Sequence, residues 1–460
     1  MFCKIQQLTL KKFSIVMGPP DGGWGWLVMS AAFVISMIVD GAGFTFGIFF
    51  PEFLSHYGES RGKTQLLTSV MIGVLLIEGP LAGALVKRYG ARRVIAMGGI
   101  VSSVGIFLST FSSNLDVMIL LYGFVGGTGF ALFYLPALVM VSMYFDRRRA
   151  LATGIAVCGS GVGGLVFAPL YEYILQIYGW QGTLWIMSAI VLNAVVCGAV
   201  CRPIGERHTR REDNEDDDDM EDENWKQTKS SDCSLFLSSV IDSFDFSLLK
   251  NPVFLLYGIS TFLASTGFHI PFNFLPAQAL DIQLSADDGA FLISIISISN
   301  TVTRVLIGYI SDKPFADTVL INSTALVIGG LAACFISYYT TFGMLAAYSA
   351  VFGSVIGIFI TLKTIILTEL LGIRRLASSL GLNLFLQGLG TFCGSPIAGA
   401  LSDRTGDYVI TFYFGGITLG LAGLICFPLR WVARRHEVSE ANESKSYMYS
   451  APRRESNVSP

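Results

Sequence analysis

Charge is scarce in this chain. Only 14% of its 460 residues are Asp, Glu, Lys or Arg, against about 25% in a typical soluble domain. A water-soluble globule of this length could not cover its surface with so little charge. Histidine is nearly missing as well, with four in all. The eight cysteines (Cys3, Cys158, Cys197, Cys201, Cys233, Cys334, Cys393 and Cys426) show no metal-ligand spacing, and most fall in apolar stretches. They read as small buried hydrophobes, so neither a metal centre nor a disulfide scaffold is expected. No domain is basic, which argues against nucleic acid as a partner. The first 20 residues hold no short apolar core with a cleavage site, so no cleaved signal peptide is expected. No catalytic constellation survives inspection, and neither an enzyme nor a bound cofactor is expected.

What the chain has instead is apolar length. Hydrophobic residues make up 52% of it and mean hydropathy is +0.59. Runs of about 20 apolar residues cross a bilayer core. Six are found before residue 202, at about 26–49, 66–86, 94–112, 117–144, 151–175 and 183–201. Six more follow residue 250, at about 252–275, 289–311, 317–338, 343–370, 377–401 and 409–429. Lipid offers the backbone no hydrogen bonds, so these runs must be helices. The alternating ten-residue strands of an outer-membrane barrel are absent. The expected fold is an all-α membrane protein with twelve transmembrane helices.

Loop charges set the orientation. Of the 31 Lys and Arg residues, 26 fall in the tails and loops of one side, three (Arg61, Lys63, Arg404) on the other, and two (Arg304, Lys363) within spans. Both termini and the long middle loop are therefore expected in the cytoplasm. In that loop, ten of the twelve residues from Glu212 to Glu223 are acidic. Such a run repels itself and reads as a solvated linker. The expected organisation is a tail at 1–20, a six-helix half at 21–201, a linker at 202–250, a second half at 251–430 and a tail at 431–460.

The halves echo each other at an offset of 227. Arg147, Arg148, Gly154, Gly161, Gly163, Pro169 and Gly179 align with Arg374, Arg375, Gly381, Gly388, Gly390, Pro396 and Gly406. The matched spans, 5 and 11, run in the same direction, which makes this a parallel repeat. Within it, Gly159-Ser-Gly161-Val-Gly163-Gly164 satisfies the GxGxxG pattern of dinucleotide binding. It lies in an apolar span with no strand before it, so the glycines read as close helix packing. Asn322-Ser-Thr has the glycosylation pattern but falls within span 9. Asn442 and Asn457 fit it on the cytoplasmic side, so no usable external glycan site is expected.

Two motifs carry a family resemblance. Asp21-Gly22-Gly23-Trp24-Gly25-Trp26 opens span 1, and Tyr144-Phe-Asp-Arg147-Arg148-Arg149-Ala-Leu151-Ala152-Thr-Gly154-Ile-Ala156-Val-Cys158-Gly159 opens span 5. Together they resemble the two signatures of the monocarboxylate transporter family, in the major facilitator superfamily. The second departs at Cys158, where the family usually has Ala. The resemblance implies two parallel six-helix halves, a plasma-membrane carrier of a small organic carboxylate working by alternating access, and a single-span glycoprotein chaperone. Read from the residues alone, Trp24 and Trp26 suit the lipid headgroup boundary, and Arg147, Arg148 and Arg149 suit helix ends or anionic membrane lipid. These motifs are expected to serve structure or gating.

Ionisable residues inside a membrane are functional candidates by default. Here they are Asp40 in span 1, Glu78 in span 2, His269 in span 7, Arg304 in span 8 and Lys363 in span 10. Glu172 and Glu369 lie nearer helix ends and read as interfacial. Arg304 can grip a carboxylate through paired hydrogen bonds, or it can pair with an acidic side chain to hold the bundle together. The resembled family has an Asp four residues before this Arg, and proton–lactate members have a Lys in span 1. Here those positions are Asn300 and Phe44. The titratable pair of that pattern is gone, so simple lactate transport and proton coupling are not expected to carry over, and the resemblance is closer to the non-lactate members. Asp40, His269 and Glu78 are the remaining groups that could relay a proton or charge. Lys363 either attracts the anion or snorkels to the surface. Alternatives stay open at this level. One is a facilitative carrier of a bulkier or zwitterionic carboxylate, such as an aromatic amino acid, an iodinated thyronine, creatine or carnitine. Another is a non-transporting sensor or scaffold.

Overall fold

The structure is a computed structural model and describes residues 22–145, 148–202, 246–311, 313, 316–372 and 376–435. Asp21, Arg147, the acidic run 212–223 and the tails that hold Asn442 and Asn457 lie outside these residues.

Among the described residues nine helices are long and apolar enough to cross a membrane. One of them, Leu151–Val200, is two spans joined at Gly179. A bent pair, Arg61–Ile77 with Gly79–Val86, and a shorter helix, Thr318–Cys334, bring the number to twelve. The helices outrun the apolar stretches that predict them. Span 1 runs from Trp24 through Phe44 and on from Phe46 to Tyr57. Span 7 runs from Pro252 to Phe268 and on from Ile270 to Asp281. The added turns carry polar residues such as Glu52 and Gln278. Hydropathy therefore marks the lipid-facing length of a helix and misses its ends.

Spans 1, 2 and 7 break near their middles, and local chemistry explains each break. Pro271 has no N–H to give the Gly267 carbonyl, so the helix breaks at His269. Pro80 does the same one residue after Gly79, and span 2 bends by 47°. In span 1 the break falls at Thr45, whose hydroxyl donates back to the Gly41 carbonyl at 2.7 Å. Such back-bonding bends helices.

The sequence repeat is realised in the backbone. Gly179 (φ 67°) and Gly406 (φ 76°) both take the left-handed conformation. Gly179 ends span 5 and Gly406 ends span 11, each with a turn that a Cβ would strain. Pro169 and Pro396 sit inside the two matching helices.

The glycines of span 5 pack on two faces at once. A Cβ at Gly159 or Gly163 would collide with the carbonyls of Phe33 and Met37 on span 1. A Cβ at Gly161 or Gly164 would collide with Thr301 and Ser297 on span 8. Span 5 thus binds its own half and the opposite half through small residues. That is the packing role the pattern has in an apolar helix. The two halves also meet where the first part of span 2 lies along span 11, and where the second parts of spans 1 and 7 pack together.

Candidate functional site

Asp40, Phe44, His269, Arg304 and Lys363 come from spans 1, 7, 8 and 10, and all line one cavity of about 160 Å³. Five positions singled out in sequence thus converge at the junction of the halves. Each is placed by its helix. Asp40 and Phe44 are one turn apart just before the break in span 1, and His269 sits at the break in span 7.

Arg304 is the best-defined member. Its Nε donates to Asn300 Oδ1 at 2.7 Å, one helical turn earlier, and its Nη1 donates to the Val157 carbonyl of span 5 at 3.2 Å. Among the described residues no carboxylate forms an ion pair with it. A guanidinium has five N–H donors. Two are spent on orientation, leaving three, both hydrogens of Nη2 and one of Nη1. Asn300 is buried and its Nδ2 finds no partner, so its amide serves Arg304.

Lys363 does not snorkel. Its Nζ donates to Gln387 Oε1 at 2.8 Å, and both residues line the cavity. Phe44 stacks on Phe272 of span 7 with centroids 4.3 Å apart and planes 12° apart. The ring that replaces a lysine thus becomes part of an aromatic wall shared by the halves. His269 is buried and its Nδ1 has no partner. Tyr134, Ser265, Gln387 and Thr391 also line the cavity and were not foreseen. A neutral polar residue in an apolar span gives no charge signal. Only the repeat, which draws attention to span 11, hinted at Gln387 and Thr391.

Glu78 stands apart. It marks the bend of span 2, accepts a hydrogen bond from the Thr128 hydroxyl at 3.2 Å, and does not line the cavity. Its Oε2 is buried and has no hydrogen-bond partner. Glu172 receives the Gln176 amide at 3.1 Å, which also reaches Asp287 at 3.2 Å. Glu369 is bound by Thr318 at 2.8 Å and Arg430 at 3.2 Å. Both belong to helix-end networks.

The span-1 motif is structural in its contacts. Trp24 donates its indole N–H to the Val200 carbonyl at 2.9 Å, with Arg202 over its ring at 4.3 Å. Trp26 packs edge-on against Phe145 with centroids 5.1 Å apart. Gly25 lets Phe145 approach, since a Cβ there would lie 3.1 Å from that ring. Gly22 and Gly23 accept the first backbone bonds of the helix. The Arg148 side chain is exposed, and Arg149 opens span 5. Trp24, Gly25, Trp26 and Arg148 do not line the cavity.

Twelve spans in two parallel halves, around a largely apolar cavity that holds a few charged side chains, define a secondary carrier of the major facilitator type. The sequence profile of the Major Facilitator Superfamily matches residues 32–362 and again 257–455. The nucleoside transporter NupG has a crystal structure that superposes with a TM-score of 0.64 over 89% of this chain and 99% of that one, at 15% identity, a likeness of fold alone. At the sequence level the chain is 31% identical to monocarboxylate transporter 12 of Xenopus laevis, covering 91% of this chain and 93% of that protein. It is 32% identical to monocarboxylate transporter 13 of Rattus norvegicus, covering 89% and 90%. It is 30% identical to monocarboxylate transporter 1 of Bos taurus, covering 89% and 85%. The chain belongs to the monocarboxylate transporter family.

Proposed function

We propose that the protein moves a small organic carboxylate across the plasma membrane by alternating access. Arg304 holds the carboxylate, Asn300 and the Val157 carbonyl aim its fork, and Phe44, Phe268 and Phe359 form the apolar wall against the rest of the substrate. One observation carries this reading: a guanidinium in the cavity has two donors spent on orientation, no acidic partner among the described residues, and three N–H donors unspent. The basic loops face the cytoplasm, with both termini and the acidic linker at 202–250 on that side, and the two six-helix halves rock about the cavity.

A second reading is favoured by Asp40. Its carboxylate faces the same cavity as Arg304, and a site with fixed charges of both signs suits a zwitterionic carboxylate. Labelled uptake in a null cell separates the two, using pairs of substrates that differ only by an amino group. Preference for the amino member, lost in Asp40→Asn, selects the zwitterion. Indifference to the amino group selects the plain carboxylate. The single-span glycoprotein chaperone remains a proposal from the family, tested by co-purification of the full chain from its native membrane.

A further inference from the structure

The cavity-lining stripes continue toward the end of the bundle that lacks the basic loops. On span 2, Ile72, Leu75 and Leu76 line the cavity. At helical spacing the same face continues through Thr68 and Ser69 to Gln65. All three are fully buried, and neither hydroxyl nor either amide atom of Gln65 has a hydrogen-bond partner. On span 7 the stripe of Ser265, Phe268 and His269 leads to Asn273, whose Oδ1 is also unpartnered. A buried polar group without a partner is costly and calls for an explanation. Here several lie in line beyond one cavity, sealed under a lid.

The lid is specific. Asp403, at the end of span 11 in the opposite half, accepts the backbone N–H groups of Arg61 (2.8 Å) and Gly62 (3.0 Å) at the start of span 2. Arg61 Nη1 donates to Ser402 Oγ at 2.6 Å, and its guanidinium lies over the Tyr408 ring at 4.2 Å. Phe50 packs edge-on against Phe274 and Tyr408 beneath, and a Cβ at Gly62 would lie 3.0 Å from the Ala400 nitrogen.

We propose that Gln65, Thr68 and Ser69 form a second subsite for the substrate carboxylate, used when this end opens, and that the Asp403 clamp on span 2 hides it in the present state. The donors these side chains leave unspent are those that replace water around a carboxylate on its way to Arg304. The substrate part of the proposal rests on the carboxylate reading; the opening does not. Two experiments on the full chain in cells test it. Gln65→Cys, or Thr68→Cys should the first fail to reach the surface, is labelled from outside by a membrane-impermeant maleimide, with the unsubstituted chain as background. Adding Asp403→Ala is expected to speed labelling by about tenfold or more, since two charge-assisted bonds close the lid. No labelling in a double variant that still transports would overturn the path. Separately, Gln65→Leu is expected to raise the KM for carboxylate uptake from outside several-fold, with little change in KM for efflux. An unchanged uptake KM would overturn the subsite. Labelling does not depend on the solute, so it stands even if the carboxylate reading falls with Arg304→Ala.

Discussion

Replacing Arg304 by Ala removes three things at once. The substrate loses the Nη1 and Nη2 fork. Asn300 Oδ1 loses a donor at 2.7 Å, and the Val157 carbonyl loses one at 3.2 Å. Hydrogen bonds to charged groups contribute about 1.5–3 kcal/mol each, so a two-pronged grip contributes about 3–6 kcal/mol to holding the carboxylate. At 1.4 kcal/mol per tenfold, that is a loss of about 10²–10⁴ in kcat/KM. The assay is initial-rate uptake of labelled carboxylates in a null cell, normalised to protein at the surface. Arg304→Lys keeps a charge but cannot reach Asn300, Val157 and the substrate with one ammonium, so it should recover little of the loss. Asn300→Ala leaves the charge and frees the fork to rotate, and is expected to cost about tenfold. The folding cost of orphaning Asn300 shows as lower surface protein, which the normalisation removes. Uptake by Arg304→Ala within a few-fold of the parent would refute the anchor.

Three further outcomes are expected. Tags at either terminus or within residues 212–223 are reached by antibody only after permeabilisation, and surface labelling in intact cells would reverse the orientation. Gly163→Val drives a side chain into the Met37 carbonyl and should abolish surface expression, whereas a Cβ at Gly154 meets nothing within 4 Å, so Gly154→Ala should be neutral by thermal unfolding. Uptake is expected to depend weakly on external pH, because Phe44 and Asn300 do not titrate and Arg304 stays charged. Steep acid stimulation that survives both His269→Gln and Asp40→Asn, with a substrate whose own ionisation is constant, would show that the proton takes another route.

The fold was legible because a bilayer leaves the backbone few choices. Hydropathy located every span, and loop charge supplied an orientation. The repeat at Gly179 and Gly406 was legible because a left-handed turn after a long helix requires glycine. What hydropathy could not give was the length of spans 1 and 7 past their breaks. Those turns carry exposed polar residues such as Glu52, His56 and Asp281 and the buried amide of Gln278, and no scale of transfer into lipid registers them as helix.

The candidate site was legible only where it is charged. Arg304, Lys363, Asp40 and His269 stand out because each is costly in an apolar span. Glu78 stood out for the same reason and lies elsewhere, at a helix bend with a threonine for company. Cost alone therefore names residues that need a partner, without saying whether that partner is the protein or a ligand. Geometry separates the two. Glu78 marks a bend away from the cavity, with Oε1 bonded within its own half and Oε2 unpartnered, while Arg304 lines the cavity, bonds neutral groups from both halves and keeps three N–H donors unspent. The same reasoning applies to Gln65, which no charge marks and no partner satisfies. An unpaired amide on a sealed helix face marks a place that needs a partner, and the proposed opening of this end supplies one.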